Sequence, residues 1–110
     1  MTTPLSHPLL AFEMVALLLM GLGLFTLTWR RTLVGMLIGV ELVLNGAGLG
    51  IVAAAQLTPN PAAPAALGQL AALLIMGLAA AEATLVLAIF IVVSRRVGHV
   101  MAGKLTLLRG

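Results

Sequence analysis

Apolar residues in this chain come in runs too long and too continuous for the single core-facing stripe of a soluble helix. The first reaches from about Pro8 to Trp29, the second from about Thr32 to Gln56 and the third from about Leu67 to Val93. At about 1.5 Å per residue, each predicts a helix able to cross a hydrocarbon core of about 30 Å. Pro8 suits a first helical turn, where its missing N–H goes unmissed. Trp29, Arg30 and Arg31 follow the first run as an interfacial aromatic anchor and headgroup-facing charges would. The turn into the second run is very short, so these two helices are predicted to pack antiparallel. Residues 57–66, LTPNPAAPAA, form a proline-rich, uncharged loop, because the residue before each proline is biased away from helix. The third run closes at Ser94, Arg95 and Arg96. A short tail, 97–110, with Lys104 and Arg109, is placed on the membrane surface or against a partner.

Composition turns this pattern into a class. With 62% hydrophobic and 8% charged residues the chain lies far from soluble domains, and its mean hydropathy is +1.21. The reading is an all-α membrane protein, a single membrane domain over 1–110 with three transmembrane helices. No span remains for a soluble catalytic or nucleotide-binding unit. The absence of cysteine excludes disulfides, thiol catalysis, iron–sulfur ligation and cysteine zinc sites. The lead before Pro8 has no basic n-region, and no small-residue cleavage site precedes Arg30, so the first run is read as a retained helix.

A pI near 11.4 would point a soluble chain toward nucleic acid; here the six basic residues flank apolar spans and act as topology signals. No nucleic-acid partner is expected. Arg30 and Arg31 lie between helices one and two, and Arg95, Arg96, Lys104 and Arg109 follow helix three, whereas the N-terminus and the proline loop carry none. The positive-inside rule then puts the N-terminus and the loop outside and the C-terminus in the cytoplasm.

Candidate chemistry rests on three carboxylates. Glu41 is ten residues from Arg31, about 15 Å along a helix, and Glu82 is thirteen from Arg95, about 20 Å, so both fall near the midplane. Glu13 is five residues after Pro8, about 8 Å below the outer face, where a long side chain still reaches the interface. An acid at mid-membrane depth costs roughly 2.5–3.5 kcal/mol on insertion scales, and such residues usually face protein or water and mark function.

At 100° per residue, Glu41, Asn45 and Gly48 share one narrow stripe of helix two, with Gly35, Gly39, Gly46 and Gly50 roughly opposite. The glycine face contains two G-x-x-x-G spacings that admit another backbone. On helix three, Gly77, Ala80, Thr84 and Ala88 oppose Glu82. A helix used on both faces belongs inside an assembly, so larger membrane partners are expected.

Burial in a low dielectric pushes a carboxyl group toward its neutral form, and two that approach share a proton and titrate as a coupled pair. Glu41 and Glu82 are therefore candidate proton carriers, against the plainer reading of neutral, hydrogen-bonded packing. For Glu13 the interfacial or structural reading comes first. Asn45 suits interhelical hydrogen bonding, His7 a solvated terminus, and the scattered methionines show no metal-binding pattern.

Taken together, these residues resemble the K subunit of complex I, the proton-pumping NADH-quinone oxidoreductase, called 4L in mitochondria. The likeness covers essentially the whole chain. It rests on Arg30-Arg31 after helix one, the G-V-E-L-V-L-N run with Glu41 and Asn45, Gly68-Gln69 opening helix three, A-A-A-E-A around Glu82 and the closing Leu108-Arg109-Gly110. The resemblance implies that Glu41 and Glu82 join a hydrated polar axis coupling quinone reduction to proton translocation, as part of a translocase without a complete active site in this chain. It implies A, J and N subunits as neighbours in a bacterial inner membrane, with flavin, iron–sulfur clusters and quinone held elsewhere and no cofactor here. Glu13 departs from the pattern and receives no role from it.

Three other readings compete. A C-type subunit of a multisubunit cation/proton antiporter is homologous but generally lacks the pair of midspan acids. A small multidrug transporter has a glutamate in helix one, as Glu13 would be, but four spans and an aromatic-lined site; this chain has no tyrosine and one tryptophan. A purely structural assembly subunit would tolerate glutamine at positions 41 and 82.

Overall fold

The computed structural model describes residues 7–58, 62 and 64–109. The lead 1–6, four residues of the proline-rich stretch (59–61 and 63) and Gly110 lie outside the described residues. Three helices make up nearly all of the described residues: α1 Pro8–Trp29, α2 Leu33–Leu57 and α3 Ala65–Arg109. All three contain windows long and apolar enough to cross a membrane.

Helix α1 begins on Pro8 and closes where the Arg30 N–H donates to the Thr26 carbonyl at 2.9 Å. Its two late hydroxyls turn back on their own helix, Thr26 Oγ1 donating to the Leu22 carbonyl at 2.8 Å and Thr28 Oγ1 to the Phe25 carbonyl at 2.9 Å. That satisfies polar groups which lipid would leave unpaired. Phe25 and Trp29 stack with ring centroids 5.7 Å apart, and Trp29 stays exposed next to Arg30.

Only three residues separate α1 from α2, and the last of them caps α2. The Thr32 hydroxyl accepts from the Gly35 N–H at 3.1 Å, satisfying one of the donors a helix start leaves open. Thr32→Ala is expected to destabilise this corner by about 1 kcal/mol. A thermal-unfolding midpoint unchanged from that of the parent chain in detergent would contradict the capping role.

The chain divides between Ala80 and Ala81 into two compact units. In the first, the helices meet through small residues. The buried positions are Ala16 and Gly23 on α1, Gly35, Gly39, Gly46 and Ala53 on α2, and Gly68, Ala72 and Ala79 on α3. Large side chains point away: Leu17 is 67% and Leu74 68% exposed. Water would not tolerate that surface, whereas lipid tails and neighbouring helices accept it. Burying the smallest residues and exposing the largest apolar ones suits a membrane, where van der Waals contact between close backbones drives helix association.

The glycine face of α2 packs on α1. A Cβ on Gly39 would lie 2.9 Å from the Gly23 carbonyl oxygen, and one on Gly23 would lie 2.6 Å from the Gly39 carbonyl oxygen. These two backbones touch with no room for a methyl group. Gly35 instead abuts Arg30 and Thr32 in the turn. At the other end of α2, Gly68 on α3 is pressed against Ala55 and lies near the Ile51 carbonyl. The small stripe expected on α3 differs from the one it buries in this chain. Gly77 faces open space and Ala80, Thr84 and Ala88 are exposed, while Gly68, Ala72 and Ala79 form the closed face.

Helix α3 also departs from its predicted limits. It starts at Ala65 rather than near Leu67 and does not stop at Val93; Ser94, Arg95, Arg96 and the tail continue it to Arg109. Arginine is a good helix former, so it marks where lipid ends without breaking the backbone pattern. Neither Gly98 nor Gly103 takes the positive φ of a helix-terminating glycine. Helix α2 shows the smaller shift, beginning at Leu33 because Thr32 is its cap and ending at Leu57.

Candidate functional site

Glu41 stands near the middle of α2, on the stripe that also carries Asn45, Gly48, Val52 and Ala55. Two observations show that this stripe turns toward α3: Ala55 meets Gly68, and Asn45, Gly48 and Val52 line a cleft with Ala72, Ile75 and Met76. The cleft has a volume of ≈ 260 Å³ and is apolar apart from the Asn45 amide. Asn45 is itself exposed, leaving its amide accessible one helical turn from Glu41.

Glu41 is half-buried, and its Oε1 is enclosed with no hydrogen-bond partner among the described residues. A buried polar atom left unpaired typically costs about 1–3 kcal/mol, and more if charged. An oxygen in that position calls for a proton, a water or a donor from another chain. The one polar side chain beside it on the stripe, Asn45, does not bond to it.

Glu82 belongs to the second unit and is half-buried. Ala83 and Val86, its neighbours along the helix in that unit, are half-buried too.

Glu13 is not displayed at the helix end. Its carboxylate folds across onto α2, with Oε2 3.2 Å from where a Cβ on Gly50 would lie. Gly50 therefore has a purpose beyond the G-x-x-x-G spacing that drew attention to it: it leaves the space a carboxylate occupies. Sequence reasoning noted both residues without pairing them, because helix phase shows which face a residue occupies but not which face of the next helix it meets.

Comparison with known proteins places these features in context. The profile of the family described as NADH-ubiquinone/plastoquinone oxidoreductase chain 4L matches residues 11–110. The chain is 44% identical over 105 residues to NADH-quinone oxidoreductase subunit K 1 of Syntrophobacter fumaroxidans, covering 94% of this chain and 99% of the relative. It is 39% identical to NADH-quinone oxidoreductase subunit K of Syntrophotalea carbinolica (94% and 97% covered) and 37% identical to that of Bacillus cereus (96% and 98%). No solved structure matches.

Proposed function

Since the chain belongs to the NADH-ubiquinone/plastoquinone oxidoreductase chain 4L family, as a membrane subunit of an NADH-quinone oxidoreductase, we propose that Glu41 and Glu82 carry protons through its part of the membrane arm. The observation that supports this most directly is the enclosed, unpartnered carboxylate oxygen of Glu41 on the α3-facing stripe of a lipid-length helix. A carboxyl group can accept a proton, hold it without charge and release it, and intramembrane acids mark functional sites, proton relays among them. Asn45 supports this by offering an amide one turn away that can order water beside Glu41.

In this reading the N-terminus is outside and the C-terminus cytoplasmic, as the placing of Arg30, Arg31, Arg95 and Arg96 suggests. The membrane is a bacterial inner membrane, and the neighbours are A-, J- and N-type subunits. Electron transfer through flavin, iron–sulfur clusters and quinone takes place elsewhere in the complex, so this chain contributes protonatable groups and helix packing. The family match over residues 11–110 favours this over the multidrug-transporter alternative, and the near-full-length likeness to NADH-quinone oxidoreductase subunit K proteins favours it over the antiporter alternative.

Glu82→Gln tests the proposal, because glutamine keeps the shape and cannot exchange a proton in the same way. In membranes where the complex accumulates normally, proton translocation driven by NADH oxidation is expected to fall severalfold. Normal pumping by a fully assembled Glu82→Gln complex would leave the residue a packing role only.

A further inference from the structure

Glu13 occupies a different part of the chain from the proposed relay. Its seat, Gly50, is nine residues from Glu41, which is half a turn around α2 and about 14 Å along it. Gly50, over which the Glu13 carboxylate lies, and Glu41 thus occupy opposite faces of α2. The Glu13 carboxylate looks onto an open groove of ≈ 490 Å³ between α1 and α2, bordered by Met14, Leu17, Met20, Ala47 and Ile51. Everything else bordering it is apolar. Glu13 has no hydrogen-bond or ion-pair partner among the described residues, and it lies five residues inside Pro8 on α1 while Gly50 lies seven inside Leu57 on α2.

We propose that this groove is the docking site for a transmembrane helix of a partner subunit that presents a basic side chain to Glu13. Charge complementarity selects that occupant. Acyl chains offer no donor to an acid about 8–10 Å inside the helix ends. A second copy of this chain offers no basic side chain at that depth, because residues 8–29, 33–57 and 65–94 contain no Lys, Arg or His. The space left by the missing side chain of Gly50 lets the carboxylate lie down on α2, beside the groove, where an incoming lysine, arginine or histidine meets it in apolar surroundings. Charged hydrogen bonds in such places are the strong ones. Met14 and Leu17, 59% and 67% exposed, give the incoming helix apolar walls on which to pack. The proposal rests on assembly into a membrane complex and is independent of proton carriage by Glu41 or Glu82.

A photoreactive amino acid placed at Leu17 in the assembled complex, in its own membrane, tests this through the adduct it forms. The expected adduct joins Leu17 to a membrane helix of another subunit bearing Lys, Arg or His within one turn of the linked residue. Glu13→Gln is expected to lower its yield severalfold. Adducts with lipid only, with a second copy of this chain or with a helix lacking a basic residue would overturn the proposal, as would an unchanged yield in Glu13→Gln. Should Glu13→Gln prevent accumulation of the complex, the adduct formed with Glu13 intact still decides. Because the readout is a covalent link and not pumping, it separates failure here from failure of the proton-relay reading.

Discussion

Glu41→Gln is expected to lower NADH-driven proton translocation by about 10²-fold, the low end of what a positioned proton-transfer group contributes, while leaving the complex assembled. The physical basis is the enclosed Oε1, unpartnered among the described residues. Glutamine fills the same volume and can satisfy a neighbouring donor, so packing survives; its amide cannot hold and release a proton near neutral pH. Glu41→Asp keeps the carboxyl group but withdraws it by one methylene, and is expected to restore part of the rate. Proton uptake by vesicles, normalised to the amount of assembled complex, is the measurement. A Glu41→Gln complex that pumps like the parent would remove Glu41 from the relay, and an Asp variant no better than Gln would mean that protonation is not what matters there.

The second large effect concerns assembly. Gly46→Leu is expected to uncouple α1 from α2 and reduce the subunit in membranes about tenfold or more. A Cβ at Gly46 would come 2.6 Å from Met20 Cγ and 2.7 Å from the Ala16 carbonyl oxygen. The methionine can swing aside, but the carbonyl belongs to α1 and moves only with the helix. Extra methylenes in a tight contact cost about 1–3 kcal/mol, and about 1.4 kcal/mol is a tenfold change in an equilibrium. Gly21→Leu makes the control, because nothing lies within 4 Å of a Cβ there. Immunoblots of purified membranes would report both; equal amounts of the two variants would show that the α1–α2 contact does not govern stability.

Much of this was readable before any coordinates. Helix α1 runs from Pro8 to Trp29 as its proline and its interfacial anchor predict, and the glycine face of α2 packs against a neighbouring backbone. Both follow from local rules: lipid length, proline placement and helical phase. The end of α3 was not readable in the same way. The Ser94-Arg95-Arg96 boundary signals only the limit of apolar sequence, and backbone hydrogen bonding does not depend on where the lipid ends.

The amino-acid order alone determined that this is a membrane protein of three long apolar helices, that three acids lie within them and that Glu41 shares a stripe with Asn45, because hydropathy and the 100° step are properties of the chain taken one residue after another. Tertiary structure decided which helix each stripe meets: Gly39 on Gly23, Ala55 on Gly68 and the Glu13 carboxylate over Gly50. Those choices depend on the rotation and offset of one helix against another. They are settled where backbones can approach most closely, and no single helix carries that information.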